Sequence, residues 1–364
     1  MLLNFFPSRA LALYLGKTFL WRCFAMLAML VLVLQMLDLL SEAGKVLAYP
    51  GNGDAELWQY VSLRAPQIIS RFLPFSVLLG TLITLATLNA NSEVVAMKSG
   101  GLSAHQILAP LILASMGVAA ISYVFNERVV ARATATLTAW EAADFGPIPA
   151  ERGVKSNVWV RHEDDLIRAG TIIGRGDAVR LQNVNVYDRH DNRLTSIIYA
   201  KQGRFTGQGW LLEDLRVFDV VRGISREVDQ MTIGKGITPD QFTLSSVDPD
   251  ALSFPELKEA IDTLREAGRP VASLEGALWH KISGPLSALL MPLLGSVAAF
   301  GIARSGKLFV RAVIGMALGF AFFVADNFAL SMGNLGVYPP ILAAWAPFLL
   351  FFVVGEAVLI TTEE

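Results

Sequence analysis

The chain is short of charge, cysteine and histidine. Of its 364 residues only 17% are Asp, Glu, Lys or Arg, against about 25% in an ordinary soluble domain. With 53% hydrophobic residues and a mean hydropathy of +0.48, so little charge places the chain in a membrane. The net charge of -2 argues against a nucleic-acid binder. The single cysteine, Cys23, lies in an apolar run. No intramolecular disulfide is therefore possible, and a thiolate metal site is not expected. His105, His162, His190 and His280 are scattered without a ligand spacing and read as surface or internally satisfied side chains. There is no His-Glu-x-x-His pair and no Gly-x-Ser-x-Gly elbow. Internal repeats with paired intramembrane charges are lacking too, which disfavours an ion-driven carrier.

One motif imitates a nucleotide site. Gly301–Lys307 reads GIARSGK, but Leu308 stands where Ser or Thr would hold Mg²⁺, and no strand pattern precedes it. A basic turn is the better account.

Long apolar runs are what the chain has in place of charge. A helix needs about 20 mostly apolar residues to cross a bilayer. Six stretches qualify: Phe19–Leu40, Pro66–Leu88, Gln106–Phe125, Leu278–Ile302, Leu308–Met332 and Ile341–Ile360. Met1–Lys17 reads as an interfacial amphipathic lead-in rather than a cleavable signal, because the apolar run after it is too long and lacks a small-residue cleavage site. Lys and Arg in the short loops set the orientation. Arg9, Lys17, Arg22, Lys98, Arg304, Lys307 and Arg311 share one side, while the loop Ser331–Pro340 on the other carries no charge. Both termini are thus expected in the cytoplasm, and the polar middle of the chain outside.

That polar middle reads as β structure. Asn157–Arg161, Asp165–Ala169, Ala178–Tyr187, Leu194–Phe205, Trp210–Val221 and Glu227–Ile233 are rich in Val, Ile, Leu, Tyr and Trp. Turn-forming stretches such as Arg189–Asn192 and Thr206–Gly209 divide them. No helical pattern intervenes, so an antiparallel sandwich or jelly roll is favoured over a βαβ fold. Asn126–Phe145 should continue the third span outward as helix. Phe254–Ala267 should form a short helix, with Ser253 as N-cap, Pro255 at its start and Gly268 closing it.

The most patterned polar stretch is Asn89–Ser103, NANSEVVAMKSGGLS, between the second and third spans. Asn91 or Ser92 can cap a helix, and Glu93 then faces the positive end of its dipole. Val94, Val95 and Met97 supply apolar side chains over little more than one turn, and Gly100 and Gly101 offer a left-handed stop. Two readings fit: a short helix that docks something outside the bilayer, or a surface turn with a helical kink. Elsewhere the acids Asp38 and Asp326 fall within spans, with Glu356 near a span end. Such charges are functional candidates by default. Asp326 lies beside Asn327, where a hydrogen-bonded pair is plausible. Gly315 and Gly319 form a small-xxx-small pair suited to close helix packing.

Several of these runs together resemble one family. Leu73–Gln106 contains Phe75-x-x-Leu78-Leu79-Gly80 and Ser92-Glu93-Val94-Val95-Ala96-Met97. Asp248-Pro249-Asp250-Ala251-Leu252-Ser253, Trp279-x-Lys281-Ile282-x-x-Pro285-Leu286-Ser287 and Tyr14-Leu15-Gly16-Lys17 agree with it. Over nearly its whole length the chain is similar to the LptF/LptG permeases, the membrane half of the ABC machine that extracts lipopolysaccharide from the Gram-negative inner membrane. The resemblance implies a membrane α-helical fold of six transmembrane helices with an inserted periplasmic all-β jelly-roll domain. Its parts would be an N-terminal transmembrane half (1–135), the β domain (136–253) and a C-terminal transmembrane half (254–364). It implies a transporter subunit without a nucleotide site of its own, and no cofactor.

The same resemblance assigns partners and residues. The partners would be an LptF-like permease in a heterodimer, an LptB-like ATPase dimer, and LptC-like and LptA-like periplasmic jelly-roll proteins. Asn91–Gly100 would be the coupling helix that sits in a groove of the ATPase. There Glu93 would meet a basic residue, Val94, Val95 and Met97 would fill the groove, and Lys98 would lie beside them. The first and fifth spans would line the lateral gates and the lipid cavity. Related chains carry several lysines near the outer end of the first span; here Gln35, Ser41 and Glu42 largely replace them, and Lys45 remains. Gln35, Lys45, Arg64, Arg128 and Arg132 are accordingly the candidate lipid-phosphate contacts, with snorkelling to the headgroups as the plain alternative for the cations. Two other functions fit the residue pattern: a scaffold without transport, and a lipid-modifying membrane enzyme. The enzyme would need a cluster of acids, bases or metal ligands at one depth, which the sequence does not show.

Overall fold

The computed structural model of the chain describes residues 8–147, 155–162, 165–173, 179–190, 193–207, 209–220, 222–234, 236–239, 248–266, 270–300 and 308–363. The chain forms two compact units. The first comprises Met1–Gly44, Asp54–Thr134 and Pro249–Glu364, and the second Lys45–Gly53 and Ala135–Asp248.

The helices are α1 (Arg9–Ala48), α2 (Asp54–Ala90), α3 (Glu93–Ser99), α4 (Ala104–Phe125), α5 (Ala131–Ala142), α6 (Phe254–Glu266), α7 (Ala272–Phe300), α8 (Leu308–Asn334) and α9 (Pro340–Glu363). A π-helical turn, Asn126–Val130, joins α4 to α5 without a break, so the expected extension of the third span is present. Among the described residues, five helices are long and apolar enough to cross a membrane: α1, α2, the α4–α5 rod, α8 from Val313 and α9 as far as Ala357. The expected fourth span coincides with α7, whose 29 residues reach about 44 Å. It is not counted with the five among the described residues. The lead-in expected over Met1–Lys17 is not a separate element. From Arg9 onward it is the first turns of α1, and residues 1–7 lie outside the described set. At 40 residues, or about 60 Å, α1 is twice as long as a hydrocarbon core of about 30 Å.

The helical core is built on α7, which packs against α2, α4, α8 and α9. Leu15, Phe19 and Cys23 of α1, Val77 and Leu85 of α2, Ile107 and Leu111 of α4, Met291 and Leu294 of α7 and Phe322 of α8 form one buried cluster. Glycines let backbones approach. A Cβ at Gly80 would stand 2.9 Å from the Cys23 backbone nitrogen, and one at Gly319 would overlap the Leu78 side chain. Half of the small-residue pair read from the sequence thus seats α8 on α2. Two hydroxyls of α2 in this core are satisfied by bonding back along their own helix: Thr81 to the Val77 carbonyl at 2.8 Å and Thr84 to the Gly80 carbonyl at 2.7 Å.

The second unit is a six-stranded antiparallel sheet, β1 (Lys155–His162), β2 (Asp165–Ile173), β3 (Arg180–His190), β4 (Arg193–Phe205), β5 (Trp210–Asp219) and β6 (Ile224–Ile233). Each strand pairs with the next in sequence, so the order is a meander. A strict jelly roll has two Greek keys, and no such crossover occurs among the described strands. The sheet buries one face almost entirely against itself: Val158, Ile167, Ala169, Leu181, Val184, Ile198, Trp210, Leu212, Leu215 and Val217 are at most 5% exposed. A flat sheet of that size would leave this face open to water.

The sheet avoids that by creasing along one row. Pairing skips Gly170, Asn183, Lys201 and Asp214, which stand opposite one another across β2 to β5. Asn183 (φ 52) and Asp214 (φ 55) are left-handed there, a conformation that Asn and Asp tolerate better than most residues. The burial period slips by one at the row: Leu181 then Val184 in β3, and Leu212 then Leu215 in β5. One extra residue in each strand flips the phase of alternation, so the apolar side of both halves turns inward. The crease residues Asn183, Lys201 and Asp214 face out, and Lys201 pairs with Asp214 at 3.4 Å. The buried indole of Trp210 donates to the Ile237 carbonyl at 3.1 Å, which brings the segment after β6 over the core. In the same unit, the Asn52 amide donates to the carbonyls of Val46 (2.8 Å) and Phe145 (2.9 Å), fastening the α1–α2 turn to the end of α5.

Candidate functional site

The segment Asn91–Gly100 contains a seven-residue helix, α3, whose start is built differently from expectation. Ser92 stands at its start in the left-handed region (φ 59) and makes no side-chain cap. The Asn91 amide instead donates to Glu93 Oε1 at 3.2 Å, so the acid is held by the residue before the cap. At the far end Gly100 is not left-handed (φ -76), whereas Gly101 is (φ 87). Gly101 N–H bonds the Lys98 carbonyl at 3.0 Å and Leu102 N–H the Met97 carbonyl at 3.1 Å. These two bonds make a Schellman stop. Ser103 then opens α4 with a full capping box: Gln106 N–H to Ser103 Oγ at 3.2 Å, and Ser103 N–H to Gln106 Oε1 at 3.0 Å. The S-x-x-Q spacing for that box is plain in the sequence.

With both ends fixed, the faces of α3 differ. Val94 is 4% exposed and belongs to the chain's own helical core, and Met97 packs half-buried beside it. The side chain of Val94 therefore anchors α3 rather than offering itself to a partner. Val95, 65% exposed, and Lys98 point outward. Glu93 sits between the two faces, where the Tyr14 hydroxyl of α1 donates to its Oε2 at 3.1 Å. Tyr14 enters this site through a contact 79 residues away in sequence, and no local pattern announces it.

The candidate lipid contacts do not form one group. Arg64 of α2 is already engaged. Its Nη2 lies 3.0 Å and its Nε 3.1 Å from Asp38 Oδ1 of α1, and its Nη1 donates to Gln67 at 2.7 Å. Tyr60 donates to the other Asp38 oxygen at 2.7 Å. Asp38 is thus the hub of a polar knot that joins the C-terminal part of α1 to the N-terminal part of α2. Gln35, one turn earlier on α1, is buried, and neither atom of its amide has a hydrogen-bond partner among the described residues. Arg128, in the π turn, and Arg132, at the start of α5, are exposed. The neighbouring Glu127 Oε2 accepts the Phe254 N–H at 2.7 Å, which anchors the start of α6 to the π turn. Ser253 stands at the start of α6 as expected, and its N–H and Oγ both donate to Glu256 Oε2, at 2.9 and 2.6 Å, the return half of a capping box. Lys45 is exposed and belongs to the β unit's share of α1.

The remaining intramembrane acids are paired with histidines. Asp326 Oδ2 meets His280 Nε2 at 2.9 Å between α8 and α7, and Glu356 meets His105 at 3.3 Å between α9 and α4. The expected Asp326–Asn327 pair does not form, because adjacent residues on a helix do not face each other; the Asn327 amide donates to the Phe323 carbonyl at 2.8 Å. No group of three or more possible metal ligands occurs among the described residues. The Gly301–Lys307 turn lies outside them.

Long apolar helices, a β insert after the third long rod and a short anchored helix after the second are therefore present in one chain. The family model for the lipopolysaccharide export system permease LptF/LptG matches residues 13–361. The chain belongs to the LptF/LptG family. The lipopolysaccharide export system permease protein LptG of Escherichia coli K12 is 27% identical over 360 residues, spanning 96% of this chain and 97% of that protein. Its counterpart from Haemophilus influenzae is 28% identical over 353 residues, spanning 93% and 95%. Members of the LptF/LptG family are permease components of a transporter rather than enzymes. Within that frame α1 stands out among the spans: only 6% of its most apolar 18-residue window is buried inside the chain, against 50% for α2 and 44% for the α4–α5 rod. The helix expected at a gate is the one this chain packs least.

Proposed function

We propose that the chain is one permease half of a lipopolysaccharide exporter in the Gram-negative inner membrane, driven by ATP hydrolysis on a partner subunit. Its termini and α3 face the cytoplasm, and its β insert faces the periplasm. An LptF-like chain completes the membrane heterodimer, an LptB-like ATPase dimer grips α3, and LptC-like and LptA-like jelly-roll proteins continue the path from the β insert.

The observation that carries this reading is the two-sided seat of α3. Val94 and Met97 tie the helix to the transmembrane core, while Val95 and Lys98 stay on the outside beside Glu93. A partner that closes on the outer side moves the helix, and the inner side passes that motion to the spans. The spans shift as rigid rods, narrow the lipid cavity and pass the lipid to the β insert. Exposing acyl chains to water costs about 0.8 kcal/mol per CH₂. The creased sheet, apolar on its inner side, offsets that cost by offering a dry path. Glu93→Lys tests the reading in vesicles reconstituted with the ATPase and the second permease. ATP hydrolysis should persist while lipid extraction falls at least tenfold; normal extraction by the variant would overturn the coupling role.

A further inference from the structure

Between α1 and α4 runs an open groove of about 1190 Å³, larger than the roughly 300–1,000 Å³ of a small-molecule pocket. Gly16 faces Pro110 across it, where a Cβ would stand 4.0 Å from the Pro110 carbonyl. Arg9 lines one end, Lys17 stands about 12 Å further along the helix, and Trp21 and Phe24, with ring centroids 6.0 Å apart, line the other end. Arg9 and Lys17 lie eight residues apart, about 80° around the helix, both lining the groove, and neither has a hydrogen bond or ion pair among the described residues.

We infer that this groove holds one anionic phospholipid. From Arg9 to Phe24 the helix advances about 22 Å. That is the depth of one leaflet, half of a bilayer about 40–45 Å thick with its headgroups. Arg9 stands at the headgroup end, Lys17 lies deeper with a stem long enough to snorkel back toward it, and Leu13, Leu20, Trp21 and Phe24 give the rest of the groove an apolar wall for acyl chains. A transmembrane helix from a partner protein would have to bring its own acid to Arg9 and Lys17, whereas a phosphodiester brings it already. Taking the orientation proposed above, the leaflet is the cytoplasmic one, opposite to the side on which the β insert is placed. The bound lipid is therefore a resident rather than the cargo.

The test uses the full exporter, chain and partners together, in nanodiscs of mixed phosphatidylglycerol and phosphatidylcholine. Native mass spectrometry should find phosphatidylglycerol retained in preference, and the double variant R9Q/K17Q should lose that preference on the order of tenfold. Brominated phosphatidylglycerol should quench tryptophan fluorescence more than brominated phosphatidylcholine, and W21F should abolish the excess. Retention indifferent to headgroup charge, or a preference unchanged in R9Q/K17Q, would overturn the proposal. So would a Trp21 that neither brominated lipid reaches, since a protein helix would then fill the groove. Reaction of Ser92→Cys with an impermeant thiol reagent reads the orientation independently, so failure of the lipid site and failure of the topology remain distinct.

Discussion

The Tyr14 hydroxyl donates to Glu93 Oε2 at 3.1 Å, linking the first turns of α1 directly to the start of α3. If α3 is where outside force enters, this bond delivers part of it to the span that the chain itself holds least. Tyr14→Phe removes one hydrogen bond, worth about 0.5–1.5 kcal/mol, and no volume. Lipid extracted per ATP should fall several-fold, while the ATPase still co-purifies. An unchanged ratio in reconstituted vesicles would show that the contact transmits nothing.

The Asp38–Arg64 pair makes a second prediction. Its side chains are 19% and 36% exposed, so breaking it costs less than the roughly 3–5 kcal/mol of a fully buried pair; about 1–2 kcal/mol is expected after solvent screening. Asp38→Asn and Arg64→Gln should each lower the thermal stability of the purified chain, and the double variant should recover part of the loss. A structural pair predicts that recovery in extraction assays as well. If Arg64 instead serves lipid phosphate, extraction stays low in the double variant while stability returns.

Gly80→Ala should destabilise the helical unit by about 1–3 kcal/mol through overpacking. The new Cβ would meet the Cys23 nitrogen at 2.9 Å and its Cα at 3.0 Å, both backbone atoms. Trimming the thiol with Cys23→Ala should therefore leave most of the loss in place. Full rescue, read by thermal unfolding, would mean that only the side chain was in the way.

In the β unit, Asn183→Val and Asp214→Val place branched residues at φ 52 and φ 55. Each should cost about 1–2 kcal/mol, whereas Asn183→Gly and Asp214→Gly should be tolerated. Equal stability of the Val and Gly variants would mean that the crease does not depend on left-handed residues.

Much of this architecture is legible in the residues. The six β segments read from Val, Ile and Trp content became six strands with ends shifted by a few positions, since turn chemistry marks a boundary only loosely. The crease was legible too, as Leu181 and Val184 in β3 and Leu212 and Leu215 in β5 break a period of two, but a search for clean alternation passes over it. The inward turn of Val94 was not legible: over one helical turn, Val94 and Val95 are equivalent until the surrounding core is known. The Asp38 knot likewise depends on how α1 and α2 lie side by side, which composition does not encode. Asp326 was singled out as a buried acid, yet its partner proved to be His280, 46 residues earlier.

Prolines interrupt α2, α4, α7 and α9, whereas α1 and α8 contain none. These two uninterrupted rods are the first and fifth spans. A helix missing a backbone bond can flex at the gap and absorb a stroke locally. One with every bond in place has no such joint, so a tilt of a few degrees at one tip sweeps the whole length and is largest at the opposite tip. On the proposed mechanism, the stiffest members of the bundle would act as oars pivoting in the bilayer, and the proline-bearing ones as the hull around them.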